Sequence, residues 1–464
     1  MIRNLTSRRL SVLPNRSTVG AWPRAITWIV GALIIAWGAA TQAQTVPPFP
    51  TVEGPITGPG PMFPGIRPGP EGTNLEDFDY IVEEFFISGI ANGNPYKTRI
   101  VVRRPPKVEK FSGIVVAEPM HRGGNALICQ FARFGIGKRH HICLEIAARP
   151  INLNNNDNPD QSLQPFNDAR YGDFSILANQ TNEIIAQVGR LIKSNLPGGP
   201  LFPYHVENIV LTGTSDSSAA TRAYMSPAHA DFRMPDGGPI YDGFFVSATL
   251  GGMPVQTTDV PTIQMPTQSE VHGTDAYRRP DSDAPGNQFR IYEVAGMSHN
   301  DARENPAFPN CDNPALSQFP YGAMTFMGLQ HVIDWAADGI VPPYADYMEV
   351  DNDLSDGTRV ALDEFGNAKG GVRTTYLDVP IYTYTIPNSG PGLCSQTGYQ
   401  TPLPDDVLRS LYKNHRQYAS KVKERLTELI REGWFPKEYV HDYVRPDAKE
   451  ANIPNPGRGR GNQK

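Results

Sequence analysis

Apolar residues along this chain fall into short, nearly unbroken runs that alternate with segments of helical spacing. Asp77–Ala91 and Tyr96–Pro105 read as long strands, rich in β-branched residues and alternating in polarity. Phe111–Pro119 and His141–Ala148 are shorter and almost wholly apolar, the pattern of strands buried on both faces of a parallel sheet. Ala126–Phe134 predicts a helix. Asp173–Asn195 predicts another, with Ile176, Ile184, Ile185, Val188, Leu191 and Ile192 on one face. Strands follow at Val206–Leu211, Tyr241–Thr249, Val260–Gln268 and Phe289–Gly296. Beyond residue 300 the pattern loosens. A helix is expected over Ala323–Ala337 and strand-like pieces between Arg359 and Ile386. Pro404–Glu432 predicts one long amphipathic helix whose inner face carries Leu408, Leu411, Tyr412, Tyr418, Val422, Leu426 and Ile430. Strands alternating with helices give an α/β architecture with a mainly parallel sheet.

The stretch Val206–Met225, VENIVLTGTSDSSAATRAYM, passes from an apolar strand through a tight turn into a helix start of small residues. A serine at the apex of such a turn is a nucleophile elbow, whose usual form is G-x-S-x-G. Strand and helix nearly touch there, so the positions two before and two after the serine must be small. Gly213 and Ser217 flank Ser215 at those positions. A serine hydroxyl needs an adjacent base, itself oriented by an acid. In this architecture such groups stand on loops after later strands, acid first and histidine second. Glu270 closes the strand that begins at Val260, and His299 follows the strand that begins at Phe289. Asp275 and Asp301 compete with Glu270 for the acid. The oxyanion hole is expected from the backbone N–H of Asp216 and from the loop Met120–Asn125, through His121 and Arg122. Gly123 and Gly124 let that loop approach a substrate.

Composition adds a compartment. The first 43 residues hold five arginines and no acid ahead of the apolar run Ala25–Ala40, and small residues follow at Thr41–Ala43. This predicts a signal peptide cleaved after Ala43, hence a periplasmic or secreted protein with no stable membrane insertion. Ser7-Arg8-Arg9-Leu10 hints at twin-arginine export. The whole chain has 42 Lys and Arg against 48 Asp and Glu, and losing the five leader arginines takes the net charge to about −11. That excess argues against nucleic acid as a partner. In an oxidising compartment Cys311 and Cys394, both in loop sequence, are expected to pair, with Cys129 and Cys143 as buried thiols. No Cys or His spacing suggests a zinc site, and no metal or organic cofactor is implied. Residues 44–74 read as a Pro/Gly-rich leader with little regular structure, 75–445 as the folded domain, and 446–464 as a disordered tail.

The segments DYIVEEFFISGIA, YKTRIVVRRP, FSGIVVAE, GTSDSS, QSEVHGTD, FRIYEVAGMSHND and GLCSQTGYQTPLP resemble, as a set, a family of bacterial α/β-hydrolase-domain proteins mostly of unassigned substrate. The likeness spans roughly residues 75 to 445. It implies an α/β-hydrolase fold: a mainly parallel central sheet flanked by helices, with extra C-terminal strands and helix. It also implies hydrolysis of a small-molecule or lipid-like carboxylic ester, with Ser215 as nucleophile, His299 as base and Glu270 as acid. The Met120-HRGGN loop departs from the asparagine-bearing form associated with relatives. An acyltransferase or amidase could use the same three residues, and a hydrolase fold without catalysis could serve as a binding module.

Overall fold

The structure, a computed structural model, describes residues 44–249, 255–304, 310–351 and 360–454. The expected signal segment lies outside them. Nine strands build one sheet: β1 (Thr51–Glu53), β2 (Ile81–Ala91), β3 (Asn94–Arg104), β4 (Ile114–Pro119), β5 (Ile142–Ile146), β6 (Asn208–Thr214), β7 (Gly243–Ser247), β8 (Thr262–Met265) and β9 (Phe289–Ile291). Their order is β1-β2-β3-β5-β4-β6-β7-β8-β9. The first three strands and the β3–β5 pair are antiparallel, and every later pair is parallel. The main helices are α1 (Leu127–Phe131), α2 (Arg133–Arg139), α3 (Thr181–Ser194), α4 (Asp216–Ala223), α5 (Gln268–Thr274), α6 (Tyr321–Asp338), α7 (Asp405–Leu411), α8 (His415–Arg431) and α9 (Arg445–Glu450). No helix among the described residues is long and apolar enough to cross a membrane.

The apolar runs explain the layers. Every residue of β4 and β5 is buried. Because side chains alternate along a strand, Ile114 and Val116 pack on one face with α1, α2 and α6, while Val115 and Ala117 pack on the other with α3. The amphipathic face of α3, from Ile184 to Ile192, closes that second layer. Covering both faces leaves the carboxyl ends of the parallel strands as the place where loops can carry chemistry.

Several elements differ from expectation, each for a local reason. The α3 helix begins at Thr181 rather than Asp173. The strand from Val260 stops at Met265, and Glu270 sits in the first turn of α5 instead of at a strand end. Thr267 and Glu270 form a capping box there, a T-x-x-E signal that turns the chain into a helix. Thr375–Asp378 is likewise a capped helical turn, with Thr374 at its N-cap, and not a strand. The C-terminal helix is two helices, because the Asn414 side chain caps α8 by accepting the Gln417 N–H. The tail expected from 446 is helical to Glu450, and its Asp447 pairs with Arg303 at 2.7 Å.

The Pro/Gly-rich leader contributes only β1 to the sheet, yet it is held fast. Its extended backbone leaves carbonyls free of regular pairing, and buried guanidinium groups use them. Arg99 donates to Phe63 O at 2.9 Å, Arg103 to Pro64 O at 2.7 Å, and Arg170 to Gly60 O and Ile56 O at 3.0 Å each. Glu84 and Glu145 neutralise these arginines inside the fold. A buried charge is tolerated only when paired and hydrogen-bonded in this way. At the other end β10 (Tyr382–Thr385) and β11 (Tyr399–Pro402) form a two-stranded sheet. The expected disulfide between Cys311 and Cys394 is formed, and Cys129 and Cys143 are buried free thiols.

Candidate active site

Ser215 caps the start of α4 with φ 53° and ψ −122°, a left-handed conformation costly for a residue with a Cβ, on the order of 1–3 kcal/mol. The surroundings enforce it. A Cβ on Gly213 would stand 2.6 Å from the Ser217 carbonyl oxygen, so only glycine lets strand and helix approach this closely. Ser217 is fully buried; its hydroxyl accepts the Thr214 N–H at 2.9 Å and donates to the Thr214 carbonyl at 2.8 Å. Ser215 N–H donates to Ser247 O on the neighbouring strand at 3.1 Å. Ser215, at the apex, is half-exposed, with its hydroxyl turned to a partner outside the turn.

That partner is His299. Its Nε2 lies 3.0 Å from Ser215 Oγ, and its Nδ1 lies 2.6 Å from Glu270 Oε1. A carboxylate cannot donate, so Nδ1 carries the proton and Nε2 is left as an acceptor for the serine hydroxyl. Glu270 is buried, and its second oxygen accepts the Thr267 N–H at 2.8 Å and the Thr267 hydroxyl at 2.7 Å. The structure thus brings Ser215, His299 and Glu270 into one hydrogen-bonded line. The other two acids stand elsewhere. Asp275 follows the far end of α5. Asp301 is buried with its oxygens accepting the N–H groups of Arg303 and Glu304, and burial beside the Glu304 carboxyl pushes its own carboxyl well above the usual range.

The histidine loop is fixed from several directions. His299 N–H donates to Ser269 Oγ at 2.9 Å, and its carbonyl accepts the Tyr321 hydroxyl at 3.1 Å. Gln268 bridges the two loops, its N–H donating to Met297 O and its side chain accepting the Gly296 N–H. Asn300 N–H donates to Gln396 O, in the turn held by the disulfide. Sequence reasoning missed these partners. The TQSE capping box was a usable signal for Thr267; Tyr321 and Gln396 carried none, since only the folded chain brings them near.

The oxyanion loop departs from expectation. His121 N–H donates to Asn125 O at 2.8 Å, and Arg122 N–H to Asp216 Oδ2 at 2.9 Å. Gly123 N–H donates to His121 Nδ1 at 2.8 Å, and Gly124 N–H to His121 O at 2.9 Å. The loop folds back on itself, so the backbone donors expected of His121 and Arg122 are already spent. Arg149 braces it, donating to Asp216 Oδ2 at 2.6 Å and Met120 O at 2.8 Å. The Arg149 guanidinium and the Arg122 N–H hold the Asp216 carboxyl below its usual range although burial opposes them. Asp216 N–H itself opens α4, where a helix has no internal partner for it. The His121 ring lies within the fields of Asp216 and His299. Burial lowers its pKa to about 4 and keeps it neutral. With Nδ1 accepting from Gly123, the ring proton is on Nε2. Among the described residues no group of His, Cys, Asp or Glu is arranged to hold a metal ion.

Residues 52–445 match the family described as alpha/beta hydrolase domain, and the chain belongs to that family. No curated protein matches it. Among solved structures, ferulic acid esterase from Streptomyces cinnamoneus is 10% identical, with a TM-score of 0.36 over 60% of this chain and 95% of that one. A lipase/esterase from Lactobacillus plantarum is 11% identical, with a TM-score of 0.28 over 42% of this chain and 83% of that one. A thermostable carboxyl esterase from Bacillus coagulans, 11% identical, has a TM-score of 0.24 over 37% and 45%. At these scores the likenesses add nothing to the fold assignment, which rests on the family match.

Proposed function

We propose that this chain is an exported serine hydrolase that cleaves a small-molecule or lipid-like carboxylic ester through an acyl-enzyme. The observation that carries the reading is the unbroken line Ser215 Oγ, His299 Nε2, His299 Nδ1, Glu270 Oε1, at 3.0 and 2.6 Å. His299 takes the Ser215 proton as the oxygen attacks the ester carbonyl, and then returns it to the departing alkoxide. Glu270 holds the ring in the tautomer that leaves Nε2 free and stabilises the imidazolium that forms. Water, activated by the same histidine, releases the acid and regenerates Ser215.

The tetrahedral oxyanion is met by the Asp216 N–H and, because the backbone donors of the 121–124 loop are spent, by the Nε2–H of the neutral His121 ring. His121→Ala should lower kcat by about 10²- to 10³-fold with little change in KM, the scale of one lost oxyanion donor. Ser215→Ala should lower hydrolysis of p-nitrophenyl acetate by about 10⁴-fold or more and abolish labelling by a fluorophosphonate probe, while the melting temperature stays within a few degrees. Undiminished turnover by the alanine variant would remove Ser215 from the mechanism. Export rests on the arginine-rich leader, and mass spectrometry of the secreted protein should find Gln44 at its N-terminus.

A further inference from the structure

Glu118, at the end of β4, is fully buried directly behind the elbow and takes no part in the line just described. Its Oε2 accepts the N–H groups of Ile128 at 2.8 Å and Cys129 at 3.3 Å, at the start of α1. Its Oε1 lies 3.1 Å from Ser217 Oγ. One carboxyl therefore touches both walls of the site: the elbow that carries Ser215, and the helix that ends the oxyanion loop.

The proton count at Ser217 decides what Glu118 must be. The Ser217 oxygen has one proton and three polar neighbours: the Thr214 N–H, the Thr214 carbonyl and Glu118 Oε1. The N–H is a donor and the carbonyl an acceptor. If Glu118 were ionised, the carbonyl and the carboxylate would compete for the single serine proton, leaving a buried acceptor unsatisfied. If Glu118 is neutral, its own proton goes to Ser217 Oγ, the serine proton goes to the Thr214 carbonyl, and all three contacts are satisfied. We propose that Glu118 acts in its neutral form as the positioning residue of the elbow, donating to Ser217 so that Ser217 can grip both backbone groups of Thr214, the residue before the nucleophile.

The groups around it agree. On β5 its cross-strand neighbour is Glu145, of like charge, whose own partners are Arg99 and Arg103. From α1 it faces the Cys129 thiol, from α4 the Ser217 hydroxyl, and on β6 Thr212 donates to Ala117 O instead. No cation pairs with Glu118 among the described residues. Burial holds its carboxyl neutral up to about 8, against the pull of the two α1 N–H groups. Since the folded pKa is raised, the brace is complete at neutral pH and is lost as pH rises through about 8.

The inference rests on Ser215 being the nucleophile, and Ser215→Ala tests that separately: an active alanine variant would sink the esterase reading itself. For Glu118 the measurement is kcat and KM from pH 6 to 9.5 for the wild type, Glu118→Gln and Glu118→Ala. A glutamine places an N–H where the neutral acid has its O–H and keeps a carbonyl for α1. Glu118→Gln should therefore stay within about threefold of wild-type kcat at pH 7 and lack the wild-type decline through pH about 8, whereas Glu118→Ala should lose about tenfold or more in kcat with KM nearly unchanged. A glutamine variant much less active than wild type at pH 7 would mean the ionised carboxylate is required and would overturn the proposal. So would identical alkaline limbs in wild type and glutamine variant. If the alanine variant does not fold, the comparison of wild type with glutamine decides alone.

Discussion

The two sides of the site are held by different means. The side of the proposed nucleophile is nearly self-contained: Gly213, Ser215 and Ser217 fix one another within five residues, and β6 with α4 supplies the rest. The acid–base side is assembled from a distance. His299 is held by Ser269 and Glu270 from the first turn of α5, by Tyr321 from α6, and through Asn300 by Gln396. A strained backbone needs rigid, local enforcement, since a small relaxation would swing the hydroxyl away. On the proposed mechanism the imidazole accepts and returns a proton, which needs its ring fixed, and side-chain hydrogen bonds from separate elements do that without backbone strain.

The largest effect should come from breaking the local side. Gly213→Ala puts a methyl 2.6 to 2.7 Å from backbone atoms of Ser217 and Ser218, which cannot move without moving α4. Activity should fall to background, and a denaturant melt should report a loss of about 1–3 kcal/mol or more, the range for overpacked cores. On the assembled side Glu270→Gln keeps the shape, but the Thr267 N–H and hydroxyl hold its amide oxygen, so an NH2 instead of an acceptor faces His299 Nδ1 and the tautomer is no longer fixed. We expect kcat down by about 10⁴-fold with the fold intact, checked by burst kinetics and a thermal melt. Replacing Cys311 and Cys394 together by serine tests the distant clamp. The closed loop separates the cysteines by 83 residues, so stability should drop by about 2–5 kcal/mol, with kcat falling only severalfold because Ser269, Glu270 and Tyr321 still hold the ring.

This contrast also sets what could be read in advance. The buried strands and the elbow are written in contiguous residues, since an apolar run between Gly- or Pro-rich turns has few other stable fates. The order serine, acid, histidine follows from topology. What escaped reading depends on long-range packing. The leader's anchoring needs Arg99 and Arg103 from β3 and Arg170 from a turn about 70 residues later. The spent N–H groups of the 121–124 loop follow from its turn and from Asp216 and Arg149, which no spacing rule connects. Local caps were the avoidable omissions: Thr267 with Glu270, Thr374 and Asn414 each carried a readable signal that outweighed an apparent strand or an unbroken helical stripe.

The sharpest test of the contrast is the residue that touches both sides. The buried Tyr321 hydroxyl donates to the His299 carbonyl at 3.1 Å and hydrogen-bonds the side chain of Thr214, next to the nucleophile. If each side is held by its own means, Tyr321→Phe costs only that shared contact. The hydroxyl's two hydrogen bonds are worth about 1 kcal/mol each, so kcat should fall by no more than about thirtyfold and the melting temperature by a few degrees. The same variant made in the serine double mutant of Cys311 and Cys394 should lose more than the two losses combined, since the ring would then be missing two of its remote supports. A loss near 10³-fold from Tyr321→Phe alone would instead mean that the sides are set against each other through this hydroxyl, and that the elbow is not self-contained.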